Sequence, residues 1–378
     1  MKKNMFKKQV RWISLLLVVI MMASMFAGCG NTAKTPEENN SSQSAEQKPS
    51  EESGEITLVD SVGRTVTIKH PAQTAVVVDR YNNEMIRACG AIDKVVAVDM
   101  NTAQDREYWK MFDPEKVIGD DLSDYNYEKI IELKPDVFII SDISPYEEAE
   151  QKLSTFDIPA FAIISYVPSK FEENVKNVGK IFGVEEGAEK FFNYFNDKLK
   201  YINENVKPEE KKTVYFETTT ELKTTFPGSG YNEIIEYANG KNIFADDYKN
   251  FSSAEVDPEE VIKRNPDVII KLVTDPSLSG AGVYTPPSKE YFQEIYKSMI
   301  ARPGWEDLDA VKNGQVFFMT QFGQGGAGKL VGTMYAAKWM YPEQLPELDP
   351  DEVFRAWMED FQGFKKIEGH FYTAEDLK

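Results

Sequence analysis

Cysteine and histidine are nearly absent from this chain of 378 residues, which has two of each. Two cysteines allow at most one disulfide, so the chain is no disulfide-stapled scaffold. His70 and His370 stand apart from each other and from any Cys or His cluster, so the usual ligands of a zinc hydrolase or a histidine-lined free-metal carrier are missing, and no metal site is expected. A nucleophile–base–orienter set has only those two histidines to draw on. Positive charge is also short: 43 Lys and Arg face 62 Asp and Glu, a formal −19. A surface that acidic repels nucleic acid and anionic headgroups, which excludes nucleic acid as a partner. Cys89 lies in a helical stretch ending at Gly90, as a buried small apolar residue does.

What is present begins at the N-terminus. Lys2, Lys3, Lys7, Lys8 and Arg11 precede an uncharged apolar run over residues 12–22, followed by the small residues Ala23, Ser24, Ala27 and Gly28. That order is a secretory signal, and Phe26-Ala27-Gly28-Cys29 resembles the bacterial lipoprotein box, with Cys29 the residue that takes the lipid. An uncleaved anchor would share the run, which nearly reaches the roughly 20 residues of a spanning helix, but needs neither the small residues nor the placed cysteine. Cleavage before Cys29 removes five cations and no acid, so −19 becomes −24. With Cys29 lipidated, Cys89 has no partner for a disulfide. Residues 31–54 are polar, without an aromatic, and cannot fold alone; as a coil they span roughly 25–30 Å. A lipid anchor at the extracytoplasmic face of the cell membrane, with a tethered domain, is expected.

Residues 56–68 alternate apolar and polar around Gly63, the pattern of a β-hairpin. Short apolar runs at 74–78, 95–98, 136–140 and 160–164 alternate with helical stretches at 83–88, 128–133 and 147–156, which predicts a parallel sheet covered by helices. Residues 171–206 read as helix broken at Gly183, with Ala188, Phe192, Phe195, Leu199, Ile202 and Val206 forming one apolar stripe. A second strand–helix alternation runs from Thr213 to about Met319, and helices stopped at Pro342 and Pro346 follow. The segment 128–140 (EKIIELKPDVFII) recurs as 259–270 (EEVIKRNPDVII), pairing Glu128 with Glu259, Pro135 with Pro266 and Asp136 with Asp267. Each copy is a short helix stopped by Pro, a turn and a buried strand, and internal duplication accounts for both.

These repeats, with the segments 60–68 (DSVGRTVTI), 239–246 (NGKNIFAD), 305–316 (WEDLDAVKNGQV) and 336–343 (AAKWMYPE) in that order, resemble ABC-transporter substrate-binding lipoproteins that capture ferric siderophores, haem and vitamin B12. The resemblance covers nearly all of the mature chain. It implies an α/β protein with two Rossmann-like lobes joined by one long helix and the ligand cleft between lobes. It implies docking on ABC importer permease subunits through one surface Glu per lobe, at positions matching Glu128 and Glu259. The expected segments are a signal peptide at 1–28, a disordered tether at 29–54, an N-terminal α/β lobe at 55–170, a bridging helical segment at 171–212 and a C-terminal α/β lobe with terminal helices at 213–378.

Ligands of open α/β sheets bind beyond the carboxyl ends of strands. Positions there include Met100, Asn101, Ser141, Thr218 to Thr220 and Thr274, and the candidate ligand-binding residues are Arg80, Tyr81, Asn82, Asp142, Tyr166, Thr225, Phe226, Ser229, Gln321 and Phe322. Arg80 beside Tyr81 has the chemistry to grip a carboxylate or catecholate oxygen and stack on a planar ring; pairing with Asp79 or Glu84 is the plainer alternative. The glycine-rich stretch 322–329 (FGQGGAGK) ends like a phosphate loop, but Leu330 replaces the Ser or Thr that would hold Mg²⁺; a flexible loop near the cleft is expected instead. The functional expectation is a monomeric, non-enzymatic receptor without a cofactor that takes an iron chelate of siderophore type. A corrinoid, haem, an oxyanion such as molybdate or tungstate, and an extracellular α/β enzyme are the alternatives. Changing Cys29 to Ala is expected to abolish labelling with a fatty-acid analogue and leave the precursor uncleaved; equal labelling of both forms would show the box to be inert.

Overall fold

Continuous apolar runs form strands covered on both faces, and the helices between them supply the cover. In the computed structural model of the protein, the residues described are 54–165, 168–207, 209, 211–247, 252–278 and 283–378. The signal segment, Cys29, most of the tether and Tyr166 lie outside them. The first described elements are the antiparallel hairpin strands β1 (Gly54–Val59) and β2 (Thr65–His70), whose turn is closed by Asp60 accepting from the backbone and guanidinium of Arg64. Then follow β3 (Ala75–Val77), α1 (Arg80–Cys89), β4 (Val95–Val98), α2 (Met100–Ala103), α3 (Tyr127–Leu133), β5 (Val137–Ser141), α4 (Tyr146–Leu153) and β6 (Ala160–Ile163). Among the described residues these strands make a four-stranded sheet in the order β4-β3-β5-β6, parallel throughout.

Two helices come next, α5 (Phe171–Phe182) and α6 (Glu185–Asn205), separated at Gly183, which caps α5 in the left-handed conformation. The remaining elements are β7 (Thr213–Glu217), β8 (Lys223–Thr225), α7 (Gly230–Tyr237), β9 (Lys241–Asn242), β10 (Ser253–Glu255), α8 (Pro258–Arg264), β11 (Val268–Val273), α9 (Lys289–Ile300), α10 (Asp309–Lys312), β12 (Val316–Thr320), α11 (Gly328–Met340), α12 (Pro350–Ala356) and β13 (Phe371–Thr373). Strands β9, β7, β11 and β12 are parallel and neighbour one another as β4, β3, β5 and β6 do. Antiparallel β8, β10 and β13 widen this second sheet.

The sequence repeat is a structural repeat. Helices α3 and α8 are N-capped by Asn126 and Asp257 and end in left-handed Lys134 and Asn265. The following acid then clasps a threonine at the start of the neighbouring strand. Asp136 accepts from the Thr74 backbone at 3.1 Å, and its own N–H donates to Thr74 Oγ1 at 3.2 Å. Asp267 accepts from the Thr213 backbone at 2.8 Å, and its N–H donates to Thr213 Oγ1 at 2.9 Å.

Helix α6 packs against both halves. Gly187 lies on α1 so closely that an added Cβ would overlap the Cys89 carbonyl oxygen. Phe191 and Phe195 meet Phe171 of α5 edge-on, at ring separations of 5.1 and 6.2 Å, and face Trp357 and Phe361 beyond α12. Two expectations are corrected here. Phe191 takes the inner position assigned to Phe192, and Phe192 and Leu199 are half-buried. Phe191 lies three residues after Ala188 and four before Phe195, so it shares their face of the helix and leaves its neighbour Phe192 on the flank. Helix α1 starts at Arg80, not near Asn83, because Asp79 caps it and accepts from Tyr81 N–H at 3.0 Å. Cys89 is buried, and its desolvated thiol titrates well above the usual range. Gly187→Ala is expected to cost about 1–3 kcal/mol through overpacking against backbone, read as a lower urea midpoint; an unchanged midpoint would show that α6 is free to shift.

Candidate functional site

Strands β3 and β4 end on two aspartates that start helices. Asp79, with φ 76, caps α1, and Asp99 caps α2, accepting from Thr102 N–H at 3.1 Å and Thr102 Oγ1 at 2.6 Å. They are joined: Asp79 N–H donates to Asp99 Oδ2 at 3.2 Å. Arg80 extends from the first turn of α1 and donates through Nε to Asn101 Oδ1 at 3.0 Å. Burial foremost, with the Asp99 carboxylate adding to it, pushes the Asp79 carboxyl up to about 7 against the lowering bond from Tyr81 N–H. Burial likewise raises Asp99.

This network floors one side of a cavity of about 660 Å³. From the first half, Asp79, Arg80, Tyr81, Asn101, Gln104, Leu122 and Ile143 line it. From the second come Val273 to Pro276 and Leu278 beyond β11, Val283, Thr285 and Pro287, and Thr320, Gln321, Gln324 and Gly325 at the end of β12. The cavity therefore lies where carboxyl ends of strands from both sheets face each other, within the size range of small-molecule sites.

Behind it the halves are clamped. Gly325 and Gly326 lie flat on the Tyr81 ring, where any Cβ would overlap the ring atoms. The stretch expected as a flexible loop is thus packed: its glycines permit close approach, and Gly328 and Gly332 do the same against the backbone of Phe322 and Gly323. Tyr284 donates to Glu84 Oε1 at 2.5 Å and stacks on Tyr108 at 3.6 Å. Tyr108 donates to Gln362 Oε1, and Gln362 Nε2 donates to the Glu84 carbonyl, both at 3.0 Å. Arg87 lies 3.7 Å over the Trp109 ring. Burial pushes the Glu84 carboxyl up to about 8, and the hydrogen bond from Tyr284 only partly offsets this.

Of the residues proposed from sequence, the structure brings Arg80, Tyr81 and Gln321 together on the cavity. Asn82 is buried behind it, bonded to the Val78 carbonyl and Ser165. Asp142 is half-buried beside Ser141, off the cavity wall. Phe322 is core, packed on Phe354 and His370. Thr225, Phe226 and Ser229 are buried under α7, where Ser229 caps the helix and its hydroxyl meets that of Thr225. Thr225 ends β8, an antiparallel strand held between β7 and β10, and none of the three lines the cavity. The residues missed, such as Gln104, Leu122, Ile143, Asp275 and Gln324, stand in irregular segments that carry no periodicity. His70 is on the surface at the Lys180 carbonyl, and His370 is buried against Thr320, its pKa lowered to about 3 by burial. Among the described residues no cluster of three or more His, Cys, Asp or Glu is arranged to hold a metal, and no helix is long and apolar enough to cross a membrane.

A family model described as periplasmic binding protein matches residues 76–321. The uncharacterized ABC transporter substrate-binding lipoprotein YvrC of Bacillus subtilis is 28% identical over 91% of this chain and 100% of its own length. The molybdate-binding protein MolA of Haemophilus influenzae is 22% identical over 80% of this chain and 90% of its own, and the iron(3+)-hydroxamate-binding protein FhuD of Bacillus subtilis is 24% identical over 80% and 89%. The solved structure of the TroA-like periplasmic binding protein FepB from Veillonella parvula matches with a TM-score of 0.69 at 22% identity, over 84% of this chain and 99% of that one.

Glu84 gives the clamp a pH signature. A carboxyl raised to about 8 in the fold holds its proton there while the unfolded chain, titrating near 4.5, has lost it. The folded state then binds more protons across that window, so stability falls as pH rises from about 5 to 8. Glu84→Gln keeps the acceptor for Tyr284 and is expected to remove about 1–3 kcal/mol of that fall, measured by urea unfolding at pH 5 and 8.5. Parallel pH profiles for both proteins would mean that Glu84 is ionised in the fold.

Proposed function

The chain belongs to the periplasmic binding protein family, and from there we propose that it captures an iron chelate of siderophore type and delivers it to an ABC importer. Its relatives include substrate-binding components of ABC transporters and binders of iron and molybdate. The observation that carries the reading is the cavity at the facing strand ends, lined within the matched segment except for Gln324 and Gly325 and of a size for a chelate of several hundred daltons. Molybdate is the second reading, favoured by the likeness to MolA; a tetrahedral oxyanion would leave most of 660 Å³ unfilled. Corrinoid and haem belong to the same size class as the chelate. An enzymatic role has little to work with, since His70 and His370 stand away from the cavity.

In this reading residues 1–28 are the signal peptide, Cys29 carries the lipid on the outer face of the cell membrane, and 29–54 tether the domain. Residues 55–170 and 213–378 are the lobes and 171–212 the bridge, and the protein works as a monomer. Glu128 and Glu259 contact the permease. Both are exposed and both hold the second position of their helix, after the caps Asn126 and Asp257. Two equivalent carboxylates on separated helices suit a two-point electrostatic latch onto basic residues. A ferric chelate at a hundred times its Kd is expected to stabilise the purified protein by about 2.7 kcal/mol, and a stability unmoved by chelates, corrinoid or haem would refute the reading. Glu128→Ala with Glu259→Ala is expected to abolish stimulation of the importer's ATPase while leaving chelate affinity unchanged; full stimulation by the double variant would remove these residues from the docking surface.

A further inference from the structure

The cleft has very little positive charge to offer. Among the described residues lining the 660 Å³ cavity, Arg80 is the only cation, against Asp79 and Asp275. A second cavity of about 430 Å³ shares Asn101, Gln104 and Leu122 with it and adds Asp120 and Asp121 without adding a cation. Both of these aspartates are exposed, and hydrogen bonds from the Ser123 hydroxyl and backbone hold Asp121 below the usual carboxylate range, so it stays ionised. That guanidinium is partly engaged. Arg80 is only 7% exposed, its Nε is bonded to Asn101, and the buried carboxyls of Asp79, Asp99 and Asp105 all lie in its field.

The rest of the wall is neutral. The amides of Asn101, Gln104, Gln321 and Gln324 offer donors and acceptors in equal measure, opposite an aliphatic side that includes Leu278 and Ile143. Ile143 is 65% exposed, an apolar contact waiting for apolar cover. Such a wall complements a ligand edged with amides and alkyl chains and does little for a multiply charged anion, which also meets Asp120 and Asp121 in the adjoining cavity and a strongly acidic chain.

Resting on the receptor reading above, we infer that the cleft selects a metal chelate without net negative charge, neutral or cationic, with an amide and alkyl periphery. A ferric tri-hydroxamate has that chemistry. A ferric tris-catecholate with three negative charges, haem with its two propionates, and molybdate do not. Selection is electrostatic exclusion joined to amide hydrogen bonding, so it weakens as salt screens the acidic rim.

Calorimetric titration of the purified protein with four probes tests this: a neutral ferric tri-hydroxamate, a trianionic ferric tris-catecholate, neutral cyanocobalamin and molybdate, each at low and high salt. The neutral hydroxamate is expected to bind at least about thirtyfold more tightly than the tris-catecholate at low salt, with the gap narrowing at high salt. Asp121→Asn on the exposed rim is expected to raise tris-catecholate affinity several-fold and leave that of the hydroxamate in place. Tris-catecholate or molybdate binding as tightly as the neutral chelate would overturn the charge rule while leaving the receptor reading intact. Cyanocobalamin bound in place of the hydroxamate would uphold the charge rule and displace the siderophore. A folded protein that binds none of the four would overturn both.

Discussion

Helix α6 and the aromatic side chains on its inner face hold the molecule's two sheets in one arrangement. Phe191 and Phe195 touch Phe171 on one side and the Trp357–Phe361 turn on the other, all at ring distances where edge-to-face and offset contacts are favourable. Gly187 lets the helix reach the backbone at the end of α1. The apolar core runs without a break from β3 and β5 through α6 to β7, β11 and α11. Swinging one sheet away from the other would expose this surface at about 25 cal/mol for each Å², so the wall of the cleft is set by the packing behind it.

The clamp behind the cleft adds a polar counterpart. Glu84, Tyr284, Tyr108 and Gln362 close a buried network between the end of β11's loop, α1 and the turn after α12. A protonated Glu84 avoids burying a carboxylate without a matched cation, because the nearby Arg87 is spent on the rings of Trp109 and Tyr108. The glycines at 325 and 326 complete it by admitting the Tyr81 ring. Packing and sparse positive charge coincide at the cleft: among the described residues its wall includes amides and aliphatic groups, and no lysine lines it.

The repeated helix–Pro-Asp–strand unit shows how one local solution serves twice. Asp136 and Asp267 each bind the threonine that opens the adjacent strand, which fixes the register of the two central strands in each sheet. The same units present Glu128 and Glu259 at the second position of their helices. Strand register and the two exposed carboxylates therefore come from a single piece of sequence, and a change in the clasp would move both.

The sequence by itself determined the parallel sheets, the long helix after Gly183, the duplication and the family. Each is written in local signals: buried strands as unbroken apolar runs, helices as caps and periodicity, Pro and Gly as stops. The site was only partly legible. Arg80, Tyr81 and Gln321 follow strand ends by the general rule for such sheets, and the structure puts them on one cavity. The same rule applied beyond Phe216 selected Thr225, Phe226 and Ser229, which are buried because the chain turns back there as antiparallel β8 between β7 and β10, a pairing that no local pattern carries. Only tertiary structure decided that Gln104, Ile143, Asp275 and Gln324 share a wall and that Arg80 acts on the buried carboxyls of Asp79, Asp99 and Asp105. These groups meet across hundreds of residues of chain, where burial and distance, rather than spacing in sequence, set the charge that a ligand encounters.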